Sequence, residues 1–543
     1  MSKVVSAAQA VASITDGKTV ASVGVIGWIV PDAVLSALGQ RFKDTGYPRD
    51  LTFYFPCGTG DAVGIRGMDH VAQQGLMKRI VSGSYINPVN PVTGERPALM
   101  KLIQESRVEA YSWPIGASMH WLREVARKSP GYVTRIGLDT YADPAHGGGK
   151  FTDCCTEDLI QKISLNGEEL LFYPSWPIDV AIIRASSADE FGNLSFEDEP
   201  LVSAGLALAL AAKASGGKVI AQVRRVVQRG QRLATEVRMP GMFVDELVVD
   251  PAMMMSTDTP YDSTYLHAKG ATTNVPPAIP FGPDKVIARR AAQEVRKREL
   301  SIFGFGAAAD VPLVMQEEGV FDPVAAPDDY WFTTEHGSYG GVVMSGWQFS
   351  ANKHPEALVD GLAQFDVIDG GLCRFAALAF AEYDSNGTVN VSKFGRSNPG
   401  AGGFIDIAYN AERLVFTGTF TTGGLDIAYE SGQMKILREG KVKKFVASAQ
   451  SITYSVAGGI RRGQSARIIT ERAVFDVLPE GLVLIEVAPG IDVQKDVIDL
   501  MDFPPHRVLN PLPLMDAALF EARSGKVQAH ASHVDGQIEA PLL

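Results

Sequence analysis

The sequence predicts an α/β protein made of two tandem, related open α/β domains, residues 1–280 and 281–543, each a mostly parallel sheet with helices on both faces. Three observations carry this. Short apolar strands alternate with segments of helical spacing, a pattern that implies parallel pairing with helices covering the sheet. The order of elements in the first half returns in the second. Between Met255 and Pro283 all periodicity lapses, and Thr259-Pro260, Pro276-Pro277 and Gly282-Pro283 mark an irregular connector that divides the two.

Taken in order, residues 5–15 have helical spacing, Gly17 breaks them, and residues 18–23 read as a strand running into Gly24-Val25-Ile26-Gly27-Trp28-Ile29-Val30-Pro31. Residues 32–42 again have helical apolar spacing, giving strand, glycine turn and helix. Leu51 to Phe55 leads similarly into Pro56-Cys57-Gly58, and Ile178 to Arg184 adds a further strand. In the second half, Asp284 is a plausible N-cap for a helix over 285–297, with Ile287, Ala291 and Val295 on one face. Strand 300–303 follows, then the turn Gly304-Phe305-Gly306 and a helix entered at Pro312. A second echo pairs Ala188-Asp189-Glu190-Phe191-Gly192-Asn193-Leu194 with Tyr383-Asp384-Ser385-Asn386-Gly387-Thr388-Val389, where Asp and Gly shape a turn between β segments. No stretch matches residue for residue, yet the shared plan points to duplication, with an active site between the halves.

The 543 residues are 46% apolar and 21% charged, ordinary for a folded soluble chain. A net charge of −12 argues against a broad basic face for nucleic acid. The start lacks a signal-peptide core and the longest bland run, Ala204 to Ala212, falls far short of a membrane span, so a cytoplasmic protein is expected. Of four cysteines, adjacent Cys154-Cys155 lacks the spacing of a zinc knuckle or redox pair, and His530 and His533 sit in a polar tail, so no metal is expected.

The stretch Tyr330-Trp331-Phe332-Thr333-Thr334-Glu335-His336-Gly337, followed by Gly340-Gly341, reads as a buried strand opening into a tight loop. Glu335 then stands at the carboxyl end of a strand, the rim where open α/β sheets bind ligands. It can brace the loop or face a substrate. Gly400-Ala401-Gly402-Gly403 is either a plain turn or a cradle of backbone N–H groups for a developing oxyanion, with Lys393 and Arg396 just upstream. Gly304-Phe305-Gly306-Ala307-Ala308-Ala309 has the G-x-G-x-x-A form, but Asp328 and Asp329 precede the next strand instead of ending it, a poor dinucleotide fingerprint. No phosphate loop, H-E-x-x-H or G-x-S-x-G is present. A carboxylate nucleophile beside a glycine-built anion site suits thioester chemistry: attack on an acyl thioester gives a mixed anhydride, which the released thiolate converts to a glutamyl thioester.

These residues resemble the family I CoA-transferases, most closely single-chain acetate and propionate CoA-transferases. The resemblance covers nearly the whole chain and rests on Glu335-His336-Gly337 before Gly340-Gly341, Val391-Ser392-Lys393-Phe394-Gly395, Gly400-Ala401-Gly402-Gly403-Phe404 and Glu486-Val487-Ala488-Pro489-Gly490-Ile491-Asp492. It implies Glu335 as the residue that carries CoA, and Gly400, Gly402, Gly403 and Lys393 as its binding contacts. It also implies acyl-CoA and carboxylate substrates, no tightly bound cofactor, and a homo-oligomer, dimer or tetramer. Acyl-CoA hydrolysis, or acyl-CoA binding without turnover, are the alternatives. One departure stands out: close relatives often place Gln between Pro and Gly where this chain has Pro114-Ile115-Gly116, and Ile115 has no side-chain donor, so a backbone N–H takes its place or the pocket is reshaped. His336 reads as a loop histidine without a catalytic task.

Overall fold

The computed structural model describes residues 3–61, 64–85, 93–268, 278–322, 326 and 329–522. In the first half, strands β1 (Val4–Val5), β2 (Thr19–Ser22), β3 (Leu51–Phe55), β4 (Met77–Ser82), β5 (Glu109–Ser112), β6 (Val180–Asp189), β7 (Leu194–Ser195), β8 (Lys218–Val227) and β9 (Glu246–Val249) form one sheet. Its order is β1-β9-β8-β6-β2-β3-β4-β5, every neighbour parallel, with β7 folded back antiparallel on β6. β6 is buried along its whole length; small and apolar residues make up most of it, and the buried Arg184 within it is paired with Glu199 (2.9 Å). Helices α1 (Ala7–Ala12), α2 (Asp32–Thr45), α3 (Ile115–Ala126) and α4 (Gly205–Ala214) belong to this half.

The second half opens with α5 (Pro283–Ala292), β10 (Leu300–Phe303), α6 (Asp310–Glu317) and β11 (Trp331–Thr333). It continues through α7 (Gly361–Asp369), β12 (Phe375–Ala379), α8 (Phe404–Asn410), β13 (Arg413–Thr417), α9 (Val456–Arg461) and β14 (Ser465–Ile469). These strands make a parallel centre, β11-β10-β12-β13-β14. Antiparallel additions flank it: Ser338–Tyr339 with Ala357–Leu358 on one side, and β15 (Ala473–Leu478) with β16 (Gly481–Val487) on the other.

The centre repeats β3-β2-β6-β8-β9 strand for strand, so among these five strands of each half the second in sequence lies beside the first and the third, fourth and fifth extend the other way. Chain direction across the sheet reverses beside β2 and β10, and the crevice at such a point is where open sheets take ligands. The second echo is borne out in atomic detail. Asp189 Oδ1 accepts from the N–H groups of Phe191 (2.9 Å) and Asn193 (3.0 Å), and Asp384 Oδ1 accepts from those of Asn386 (2.9 Å) and Thr388 (2.9 Å). Gly192 and Gly387, each three residues after its aspartate, have φ of +90° and +74°.

Several local expectations need correction. The helix expected over 285–297 spans Pro283–Ala292, with Gly282 and not Asp284 as N-cap; proline's fixed φ suits the first helical position, so the Gly-Pro pair starts the helix. The strand before Glu335 is not wholly buried, since Trp331 is exposed. Part of the connector, residues 269–277, lies outside the described residues, as do Asp328 and the tail with His530 and His533.

Candidate active site

Glu335 stands two residues beyond the carboxyl end of β11, in a loop held from several sides. Thr334 N–H donates to Ser338 O (3.2 Å), Gly337 N–H to Thr334 O (3.2 Å), and the Thr334 hydroxyl to Ser350 O (2.9 Å). Gly337 has φ of +90°, and a Cβ there would overlap Val359, so only glycine closes the turn. The Glu335 side chain is 14% exposed: nearly dry, yet reachable from the cleft.

The next residue is fully buried. His336 turns Nε2 to 3.4 Å from Glu335 Oε1 and 3.6 Å from the Cys57 sulfur, whereas its Nδ1 has no hydrogen-bond partner among the described residues. Cys57 comes from the other half, two residues beyond the end of β3, the repeat counterpart of β11. The duplication therefore sets Cys57 and Glu335 at equivalent positions, facing each other. Burial, and then the Glu335 charge, push the Cys57 thiol well above its ordinary range, so it stays protonated. Sequence reasoning passed over Cys57; the readable signal was the matching strand-turn at Phe55-Pro56-Cys57 and Thr333-Thr334-Glu335.

The glycine loop crosses from the second half onto the rim of the first. Gly402 N–H donates to Gly83 O (3.0 Å), Ala401 N–H to the Tyr141 hydroxyl (3.2 Å) and Gly400 N–H to Ser392 O (3.1 Å). Three of the four amides are thus committed to holding the loop, and the Gly403 N–H donates to no other described group. Gly403 lies directly on the nucleophile candidate, for a Cβ built on it would overlap Glu335 Oε2. Gly400 and Gly402 have φ of +78° and +60°, which brings the chain to that point.

Neither backbone amide at the Ile115 departure is open to replace the missing glutamine. Ile115 N–H donates to Gly402 O (3.3 Å) and Gly116 N–H to Asp406 Oδ2 (3.1 Å), while the Ile115 side chain is buried against Gly83. A backbone substitute for the missing glutamine therefore has to come from another amide, or else the pocket is reshaped. Asp406 is buried in the first turn of α8, and burial, then the Asp369 charge, hold its carboxyl well above the ordinary range. The raised Asp406 pKa disfavours a second anion beside Glu335. Lys393 is half-buried beside the loop, its backbone fixed by Asn390, and no carboxylate lies within ion-pairing distance of its ammonium among the described residues. The Gly304-Phe305-Gly306 turn does join β10 to α6 as strand, turn and helix, with Gly306 at φ of +88°.

A carboxylate held nearly dry under a glycine loop, at the seam of two duplicated α/β halves, is an arrangement suited to acyl transfer. Known proteins agree. Residues 4–250 match the Coenzyme A transferase family. The chain is 37% identical over 545 residues to the acetate CoA-transferase YdiF of Escherichia coli (strain K12), covering 98% of this chain and 97% of the relative. It is 36% identical over 533 residues to the caffeate CoA-transferase of Acetobacterium woodii, covering 96% and 98%. The crystal structure of the acyl-CoA transferase YdiF from E. coli O157:H7, a thioester complex with CoA, superposes with a TM-score of 0.87 at 35% identity, covering 97% of each chain. The chain belongs to the Coenzyme A transferase family and is a CoA-transferase.

Proposed function

We propose that this enzyme moves CoA from an acyl-CoA to a free carboxylate by a ping-pong route through a thioester on Glu335. The observation that carries the reading is the Glu335 carboxylate itself, nearly dry at a sheet rim and covered by Gly403. One Glu335 oxygen attacks the thioester carbonyl; the C–S bond breaks, CoA leaves as thiolate, and a mixed anhydride remains. The thiolate then attacks the Glu335 carbonyl carbon and expels the acyl group as a carboxylate, leaving glutamyl-CoA. An incoming carboxylate reverses both steps, and no proton is consumed. The uncommitted Gly403 N–H faces the charge that builds on the tetrahedral oxygen, where a fixed donor in a dry site acts most strongly. Lys393 supplies a cation, unpaired among the described residues, for an anionic part of CoA, and Gly400 and Gly402 shape the approach.

The CoA thioester in the homologous crystal structure supports this route. The finer readings follow the resemblance: domains meeting at residues 280 and 281, short-chain acids as substrates, a homo-oligomer, dimer or tetramer, and a cytoplasmic enzyme. The two relatives, nearly equally similar to this chain, are named for a small aliphatic acid and an aromatic one, so identity does not select the acid. The test is CoA transfer from a panel of acyl-CoAs to a panel of acids. Release of CoA should need an added carboxylate; release into water at the same rate would make the enzyme a hydrolase.

A further inference from the structure

Cys57, His336 and Glu335 place a thiol sulfur, an imidazole nitrogen and a carboxylate oxygen within 4.8 Å of one another. We propose that this trio is an inhibitory binding site for thiophilic divalent cations of the zinc type, which occupy the Glu335 carboxylate and compete with acyl-CoA. The inhibition, though not the binding, rests on Glu335 being the nucleophile.

The geometry is that of a half-built tetrahedron. Zinc sits about 2.3 Å from a thiolate and about 2.0–2.1 Å from an imidazole nitrogen or carboxylate oxygen, so tetrahedral S···N and N···O edges measure about 3.6 Å and 3.3 Å. The corresponding edges here are 3.6 Å, from Cys57 Sγ to His336 Nε2, and 3.4 Å, from His336 Nε2 to Glu335 Oε1. The third edge, from the Cys57 sulfur to the Glu335 carboxylate, lies within 4.8 Å against about 3.6 Å in a closed tetrahedron, a gap that the partly exposed Glu335 side chain can close. Both buried ligands come preset, since Cys57 is 4% exposed and His336 is 0% exposed, each fixed on its own sheet rim. Glu335, the one partly exposed member, faces the cleft, so an ion enters by the route of acyl-CoA and keeps a fourth position open toward solvent. No other group of three such ligands gathers among the described residues, and the half-buried Cys154 and Cys155 meet Thr152 instead of a histidine.

Occupation is reversible for a stated reason. Coordination through Nε2 puts the imidazole proton on Nδ1, and Nδ1 has no acceptor among the described residues, whereas resident metal sites normally give that N–H a carboxylate or carbonyl partner. A cation bound this way displaces the Cys57 thiol proton into solvent and neutralises the negative charge that the acyl-transfer step requires.

The full-length enzyme titrated with Co2+, a spectroscopic stand-in for Zn2+, tests the site directly. The expected result is one equivalent bound with a thiolate-to-cobalt charge-transfer band, displaced by Zn2+ and absent once the protein has been converted to its CoA thioester. Cys57→Ser and Cys57→Ala, each checked for native circular dichroism, should lower the affinity by at least ~100-fold, more than the loss of an outer-shell partner. Zn2+ inhibition, normalised to each variant's own metal-free rate, should fall in parallel, and Cys154→Ser with Cys155→Ser should leave both unchanged. Absence of the band, its persistence in both Cys57 variants, or its loss with Cys154 and Cys155 would overturn the proposal. The two assignments separate cleanly: a band in a protein that takes up no CoA on Glu335 upholds the metal site and removes the nucleophile, and CoA uptake without a band does the reverse.

Discussion

At the scale of single residues the account turns on two adjacent backbones, one carrying a carboxylate and the other carrying nothing. Glu335→Gln keeps the size and loses the nucleophile, so transfer should fall by about 10⁴-fold or more, in line with removal of other covalent catalytic groups, with melting unchanged within a degree or two. Gly403→Ala is more discriminating. Gly403 has a φ of −83°, which alanine adopts freely, so its cost must come from the new methyl meeting Glu335 Oε2. Displacing the carboxylate by a fraction of an ångström should reduce kcat/KM by about 10²-fold, with far-ultraviolet circular dichroism unaltered. Full activity in this variant would mean that Glu335 and the glycine loop part during turnover. Both positions were legible in the sequence, because E-x-G after an aromatic run and G-x-G-G are local patterns. What His336 and Cys57 do was not legible: each looks idle in its own segment, and only the packing of one half on the other sets sulfur, imidazole and carboxylate together.

At the scale of elements, the repeated aspartate turns link sequence to stability. In the hairpin after β6, burial alone would raise the Asp189 pKa, but the Asn193 side chain and the N–H groups of Asn193 and Phe191 outweigh it and hold the carboxyl below its ordinary range. A carboxyl whose folded pKa is depressed stabilises above its unfolded pKa and loses that contribution as pH falls through the folded value. Asp189→Asn should therefore cost about 1–2 kcal/mol at pH 7, and the difference from wild type should shrink as pH falls from the unfolded aspartate range through the lower folded value, as followed by urea unfolding across pH. A pH-independent difference would assign the effect to the turn's shape alone. The hairpins could be read from Asp and Gly spacing because such turns are made by neighbours in sequence. The start of α5 could not: Gly282-Pro283 is a loop signal and a helix-start signal at once, and the tertiary position of the helix decides between them.

At the scale of the whole molecule the two halves act as one body. The Trp28 indole N–H donates to Phe349 O (3.0 Å), Tyr85 N–H to Pro399 O (2.7 Å), Tyr141 N–H to Ile452 O (2.7 Å) and Gly361 N–H to Ser203 O (3.0 Å), besides the bonds that dock the glycine loop. Calorimetry should show a single cooperative transition. Trp28→Phe, which leaves the buried Phe349 carbonyl without its donor, should lower stability by about 1–3 kcal/mol while keeping that single transition. Two separated transitions would mean that the halves unfold independently and the seam is weak. The duplication was visible in sequence as a repeated order of strands, but the seam was not, since pairing across hundreds of residues leaves no local periodicity.

The most direct measurement is the mass of the enzyme after incubation with an acyl-CoA and no acceptor, followed by peptide mapping. The account predicts one CoA joined as a thioester, on the peptide that contains Glu335, removed when a carboxylate acceptor is added. An unmodified Glu335 peptide in protein that still transfers CoA, or transfer that survives in Glu335→Ala, would contradict it.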